Sequence, residues 1–208
     1  MKNTNNVTLV GKIETEFKFN YEVFGQNFYT AKLAVDRLSS NVDHIIITVP
    51  EKLIDLDQSY YGKYICVHGE FHSYNSRKNG KTKLLLSVSV SSFEFVDENC
   101  DLHARNQIEL GGYICKAPVL RKTPMGKIVA DVLIASNRPH NRTDYIPSIC
   151  WEAAAGYVNT LPVGTEVKVM GRIQSREYIK KLSETETEVR TAYEVSISKL
   201  EVIVDECE

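Results

Sequence analysis

The sequence predicts an all-β chain built as two tandem barrels, each of about 100 residues, a normal domain size. Three observations predict it: an internal repeat, a period-two alternation within each copy, and an ordinary globular composition. Asn5-Asn6-Val7-Thr8-Leu9-Val10-Gly11 reads like Asn106-Gln107-Ile108-Glu109-Leu110-Gly111-Gly112, at an offset of 101. The same offset carries Leu33 to Ile134, Arg37 to Arg138, and Asp43-His44-Ile45 to Asp144-Tyr145-Ile146. After one added residue, Gly62 matches Gly164, Val67 matches Val169 and Gly69 matches Gly171. Markers that keep their order through both halves define two copies, residues 1–99 and 100–208. The polar, mostly acidic run Asp97-Glu98-Asn99-Cys100-Asp101 is the expected linker.

Within each copy the alternation is that of strands. Val7, Leu9 and Ile13 alternate with polar residues, as do Ile45, Ile47 and Val49, and Val167, Val169 and Ile173 continue the pattern in the second copy. The exceptions are Glu51 to Tyr61 and Glu152 to Leu161, each expected to be a short helix after the third strand. Pro50 suits a helix start, and Glu152-Ala153-Ala154-Ala155 is a strong helix former. Gly62 and Gly164 mark the return to strand. Asn79-Gly80 signals a hairpin in copy one, and Lys180 to Glu188 is the longest expected loop of copy two. Three strands, a short helix and two more strands is the order of the OB-fold, a five-stranded Greek-key barrel.

Composition excludes several classes. Among 208 residues, 43% are hydrophobic and 25% charged, so global disorder is not expected. Lys and Arg number 25 against 27 Asp and Glu, a net charge of -2, which argues against coating nucleic acid by bulk basicity. No stretch approaches the roughly 18 apolar residues of a membrane helix. The polar amino end lacks a signal peptide's apolar centre, so a cytosolic protein with no membrane partner is expected. Five cysteines, an odd number with no C-x-x-C pair, predict thiols in a reducing compartment rather than disulfides or zinc ligands. His68 and His72 lie in a strand, where residues four apart are roughly 13 Å apart, too far for one shared metal. No phosphate-binding loop, nucleophile elbow or dinucleotide fingerprint is present. No catalysis, cofactor or metal is expected.

The near-neutral total hides a division. From Cys115 to Lys181 there are eleven basic and five acidic side chains; from Leu182 to Glu208 there are two basic and eight acidic. In copy two, Tyr145, Pro147, Ile149 and Trp151 share one face of the third strand. With Ile173 inward, Arg172, Gln174, Arg176 and Tyr178 are expected to point outward together. Guanidiniums meet phosphates and flat rings stack on bases, so such a face suits an unpaired nucleic acid strand.

Copy two resembles the bacterial single-stranded DNA-binding protein family. The residues that carry the resemblance are Asn106-Gln107-Ile108-Glu109-Leu110, Arg121-Lys122-Thr123-Pro124-Met125-Gly126-Lys127, Val129-Ala130-Asp131, Ile134-Ala135-Ser136-Asn137-Arg138, Thr143-Asp144-Tyr145 and Gly171-Arg172-Ile173-Gln174-Ser175-Arg176-Glu177-Tyr178. The resemblance implies an OB-fold that binds single-stranded DNA without sequence preference, in replication, recombination or repair. It implies base stacking at Tyr145, Trp151 and Tyr178, and phosphate or base contacts at Arg121, Arg138, Arg172 and Arg176, with Lys122 and Lys127 beside them. Members with two OB-folds per chain form dimers, so a homodimer with four barrels is implied. The family usually carries an acidic, apolar-tipped tail. This sequence ends at Val204-Asp205-Glu206-Cys207-Glu208, and recruitment of partners through such a tail is not expected.

Copy one resembles the family more faintly. Glu70 stands where copy two has Arg172, His44 replaces Tyr145, and Pro50 replaces Trp151. His72, Tyr74 and Lys78 remain as candidate contacts, beside Arg77, Lys81 and Lys83. Copy two is therefore expected to bind strongly, and copy one to bind weakly or to serve pairing with another barrel. The alternative reading is an OB-fold protein-interaction module of a replication or primosome complex with weak nucleic-acid binding. RNA is a further possible ligand, since stacking surfaces tolerate both sugars.

Overall fold

A computed structural model describes residues 4–39, 41–78, 81–98, 106–181, 183 and 186–204. The expected boundary at residues 99 and 100, and Cys100 and Cys207, lie outside the described residues. The first copy contains β1 (Asn5–Ile13), β2 (Lys18–Val23), β3 (Gln26–Asp36), β4 (Val42–Pro50), β5 (Tyr64–Lys78) and β6 (Lys81–Phe95). The second contains β7 (Asn106–Ile114), β8 (Val119–Lys122), β9 (Ile128–Arg138), β10 (Arg142–Trp151), the helix α1 (Glu152–Val158), β11 (Glu166–Lys181) and β12 (Thr187–Val202).

Both copies close in the same order. In the first, β1 pairs with β3, β3 with β4, β4 in parallel with β6, β6 with β5, and β5 with β1 again. In the second, β7, β9, β10, β12 and β11 form the matching circuit, with β10 and β12 the parallel pair. This is the OB-fold barrel, twice. The inward residues of the alternation fill each barrel: Leu9, Ile13, Leu33, Ile45, Ile47 and Phe71 in one, Leu110, Ile114, Ile134, Ile146 and Ile173 in the other, all fully buried.

The repeat markers sit where closure demands them. A Cβ at Gly11 would collide with the Ala34 carbonyl, and one at Gly112 with the Ala135 carbonyl. Gly69 and Gly171 each follow a bulge and press on the carbonyls of Ser89 and Ser196. The repeated asparagines extend a ladder with their side chains. Asn5 exchanges two 2.9 Å hydrogen bonds with the backbone of Phe71. Asn106 does the same with Ile173, at 2.7 and 2.8 Å.

Each five-stranded barrel also carries a short exposed strand, β2 or β8, that pairs with β3 or β9 as a projecting ribbon. One expectation needs correction. The helix appears only in copy two; copy one has a single 3-10 turn at Glu51–Leu53. The Asp55 carboxylate accepts the Asp57 amide at 3.0 Å, an Asx turn that competes with a helix.

The barrels are joined by a continuous backbone ladder and by two buried carboxylates. β1 and β7 pair antiparallel, Val7 opposite Ile108, so all twelve strands form one sheet. Asp43 accepts the amide of Ser175 in the other barrel at 2.7 Å, and the Ser175 hydroxyl accepts the His44 amide at 2.8 Å. The repeat-related contact is nearly identical. Asp144 accepts the Ser73 amide at 2.7 Å, and the Ser73 hydroxyl accepts the Tyr145 amide at 2.9 Å. Arg37 Nε reaches Asp43 at 2.8 Å; Arg138 Nε lies 3.0 Å from Asp144, and His72 Nδ1 lies 2.8 Å from it. Both aspartates are fully buried.

Burial pushes the Asp144 carboxyl upward, but the bonds from His72 and Ser73 and the charge of Arg138 outweigh it and hold it below its ordinary value. A depressed folded value means that the stabilisation is complete above the ordinary aspartate value of about 3.9 and is lost as pH falls through the folded value. Removing a carboxylate from a buried, charge-paired cluster strands its partners, so Asp144→Ala should cost about 3–5 kcal/mol in urea unfolding at neutral pH. In the same titrations, the gap between wild type and Asp144→Ala should narrow as the pH drops below that of an ordinary aspartate. A gap that stays constant into acid would assign the loss to something other than the ion.

Candidate nucleic-acid interface

Strand alternation and the two ribbons shape the outer surface of the second barrel. β8 folds back on β9, and Thr123 and Lys127 close the turn through the Thr123 amide and the Thr123 hydroxyl. This presents Arg121, Lys122 and Lys127 to solvent. Arg121 grips Asp131 with two nitrogens at 2.7 and 2.9 Å, and this bonding raises its already high pKa. Beside it opens a cleft of about 430 Å³ lined by Lys116, Arg121, Pro147, Ser148, Arg176 and Glu194. Asp131 neutralises Arg121, and Lys116 and Arg176 outnumber the remaining carboxylate, Glu194.

Two flat rings flank this cleft along the strands. Tyr145 is two residues before Pro147 on the same face of β10 and is 44% exposed. Tyr178 is two residues after Arg176 on β11 and is 38% exposed, opposite Arg190 on β12. Neither ring is drawn into the core. Trp151 is half-buried, its Nε1–H donating to the Ser196 hydroxyl at 3.1 Å, so its ring is pinned against β12.

Other candidates lie elsewhere. Arg172 turns to the junction, where its guanidinium is 3.6 Å from Asp43 and shares a cleft with Arg37. Burial and the charge of Arg37 lower its pKa. Gln174 is buried and donates to Glu194 at 2.6 Å. Arg138 and His72 serve Asp144 in the opposite junction, so neither is presented outward as a strand-face residue. The shared reason is that each barrel's fourth strand docks on its neighbour, and buried carboxylates there capture nearby cations. The Lys78 side chain lies outside the described residues.

Tyr74 lines a second groove, of about 590 Å³, between the first barrel and β12 of the second. Tyr21, Lys83, Arg190 and Tyr193 share its wall. The Arg138 guanidinium lies 5.7 Å from the Tyr74 ring centre. Burial, aided by Tyr21, pushes the Tyr74 hydroxyl up to about 12, so it is neutral at physiological pH.

The first barrel also carries rings that the sequence expectation left out. On its ribbon Phe19 meets Tyr29 edge to face at 5.9 Å, and Tyr21 stacks on Phe28 at 4.9 Å. Phe24 stands fully exposed at the turn, with a positive φ of 49°. The signal was present as Phe17-x-Phe19-x-Tyr21 ahead of Phe24-Gly25 and Phe28-Tyr29. It has no counterpart in β8, so the repeat did not draw attention to it.

Residues 105–203 match the family described as the single-strand binding protein family. Single-stranded DNA-binding protein 3 of Listeria innocua is 38% identical over 80 residues, covering 35% of this chain and 50% of that protein. Single-stranded DNA-binding protein A of Bacillus subtilis is 36% identical over 80 residues, covering 35% of this chain and 46% of its own length. The chain thus spans about half the length of the curated relatives it matches. The wild-type single-stranded DNA binding protein from Thermus aquaticus superposes over 100% of this chain and 97% of its own, with a TM-score of 0.79 at 21% identity, a likeness of the whole two-barrel fold. The second barrel, residues 105–203, is thus the part of the chain that is similar to the single-strand binding protein family.

Proposed function

We propose that the protein binds single-stranded DNA without sequence preference and protects it during replication, recombination or repair. The observation that carries this is the cleft of the second barrel, with Arg176, Lys116 and Arg121 on its walls and Tyr145 and Tyr178 exposed beside it. Phosphates meet the cations and bases lie on the rings; neither interaction reads base identity. Lys122 and Lys127 extend the charge along the ribbon, and Trp151 offers a ring edge already anchored by Ser196.

The first barrel contributes more than its Glu70 suggests. Its ribbon rings and Tyr74 continue the stacking surface, with Lys83 and Arg190 beside the groove. Arg138, Arg172 and His72 act at the junction and shape the face instead of forming it. In this reading the chain works in the bacterial cytoplasm as a homodimer of four barrels.

Titrating a poly-thymidine oligonucleotide against the whole chain by fluorescence anisotropy tests this reading. Counterion release makes affinity fall with salt, and Arg176→Ala should flatten the log–log slope by about 0.7 for a single-strand phosphate contact. Tyr145→Ala with Tyr178→Ala should weaken binding by about 2–6 kcal/mol, at roughly 1–3 kcal/mol per ring. A double variant that binds like wild type removes the second-barrel platform.

Phe19→Ala with Phe24→Ala asks about the first barrel inside the intact chain, where the shared sheet is preserved. A clear loss of affinity is expected. Unchanged affinity restores the picture of a single binding barrel.

A further inference from the structure

We propose that Cys66, His68 and Glu94 form a binding site for a zinc ion on the outer wall of the first barrel. The site is separate from the nucleic-acid face and does not depend on that reading. Cys66 and His68 alternate on β5, so both project from the same side of the strand. Glu94 is the direct cross-strand neighbour of Cys66 on β6. The thiol sulfur, an imidazole nitrogen and a carboxylate oxygen all lie within 4.8 Å of one another.

The distances fit a tetrahedral ion. Zinc bonds of about 2.3 Å to sulfur and 2.0–2.1 Å to nitrogen, at a tetrahedral angle, put the two ligand atoms roughly 3.6 Å apart. Cys66 Sγ and His68 Nε2 are 3.8 Å apart. Glu94 is exposed, so its carboxylate can turn to complete the triangle, and a water would fill the fourth position.

The ring is already oriented for this. Thr8, opposite His68 on β1, places its hydroxyl 3.1 Å from Nδ1. With Nδ1–H donating to that oxygen, the Nε2 lone pair faces the thiol. Such an outer partner is the usual means of fixing a ligating imidazole. A thiolate, an imidazole and a carboxylate are the donor types that zinc takes together. Cys66 is 9% exposed, and its neighbours His68 and Glu94 are exposed. Binding displaces the Cys66 proton, so affinity must rise with pH. The C-x-H spacing escapes a search for C-x-x-C pairs because the third ligand comes from the neighbouring strand.

Loaded, the ion would clamp β5 to β6 and, through Thr8, hold β1, the strand that joins the two barrels.

The test uses the full chain, stripped with a chelator and kept reduced. Competition with a chromophoric chelator should show one equivalent of zinc bound. Cobalt should give a thiolate-to-metal absorption band, and zinc should raise the thermal midpoint. Cys66→Ser and His68→Ala should abolish the band and the stoichiometric zinc, while circular dichroism and oligonucleotide binding stay as in wild type. Thr8→Val should weaken zinc binding by about ten- to hundredfold, the usual cost of losing an outer partner. Cys115→Ser should change nothing. If wild type gives no cobalt–thiolate band, or if Cys66→Ser or His68→Ala retains it, the site does not exist.

Discussion

Two carboxylates that water cannot reach organise this molecule. Asp43 and Asp144 are fully buried, and an uncompensated charge in that position would be strongly destabilising. Each is satisfied by a backbone amide from the opposite barrel and by an arginine from its own, which ties the start of one barrel's third long strand to the fourth long strand of the other. The rest follows from that docking: the antiparallel β1–β7 ladder, the single twelve-stranded sheet, and the withdrawal of Arg138, Arg172 and His72 from the outer face.

The frame was legible in the sequence because its constraints repeat. Gly11 and Gly112, Gly69 and Gly171, Asn5 and Asn106, and Asp43 and Asp144 were visible as markers, and each pair does the same job in both barrels. Steric closure and a buried hydrogen bond tolerate few residue types, so they leave a trace at fixed spacing. The helix of copy one was misjudged because an aspartate turn and a helical start look alike until the competing hydrogen bond is seen. The ribbons were invisible because a short strand with no buried face has no apolar period to reveal it.

The site was half legible for a related reason. Alternation put Tyr145 on the outward side of one strand, and Arg176 with Tyr178 on the outward side of another, since period two is a property of one strand. It could not tell that the face holding Arg172 and Gln174 becomes covered further up the same strand. Coverage depends on the partner barrel, and no local pattern encodes which polar residue will meet a buried carboxylate 130 or so positions away. The rings of Phe19, Tyr21, Phe24 and Phe28 show the converse: a feature without a repeat partner is easily passed over.

The β1–β7 ladder has a kinetic consequence. It holds the two surfaces proposed to bind a strand at a fixed separation within one chain. For a ligand that spans both, letting go of one leaves it tethered at high effective concentration beside that surface, and recapture outpaces escape. Residence time is then set by the rigidity of the backbone seam as much as by the strength of either grip.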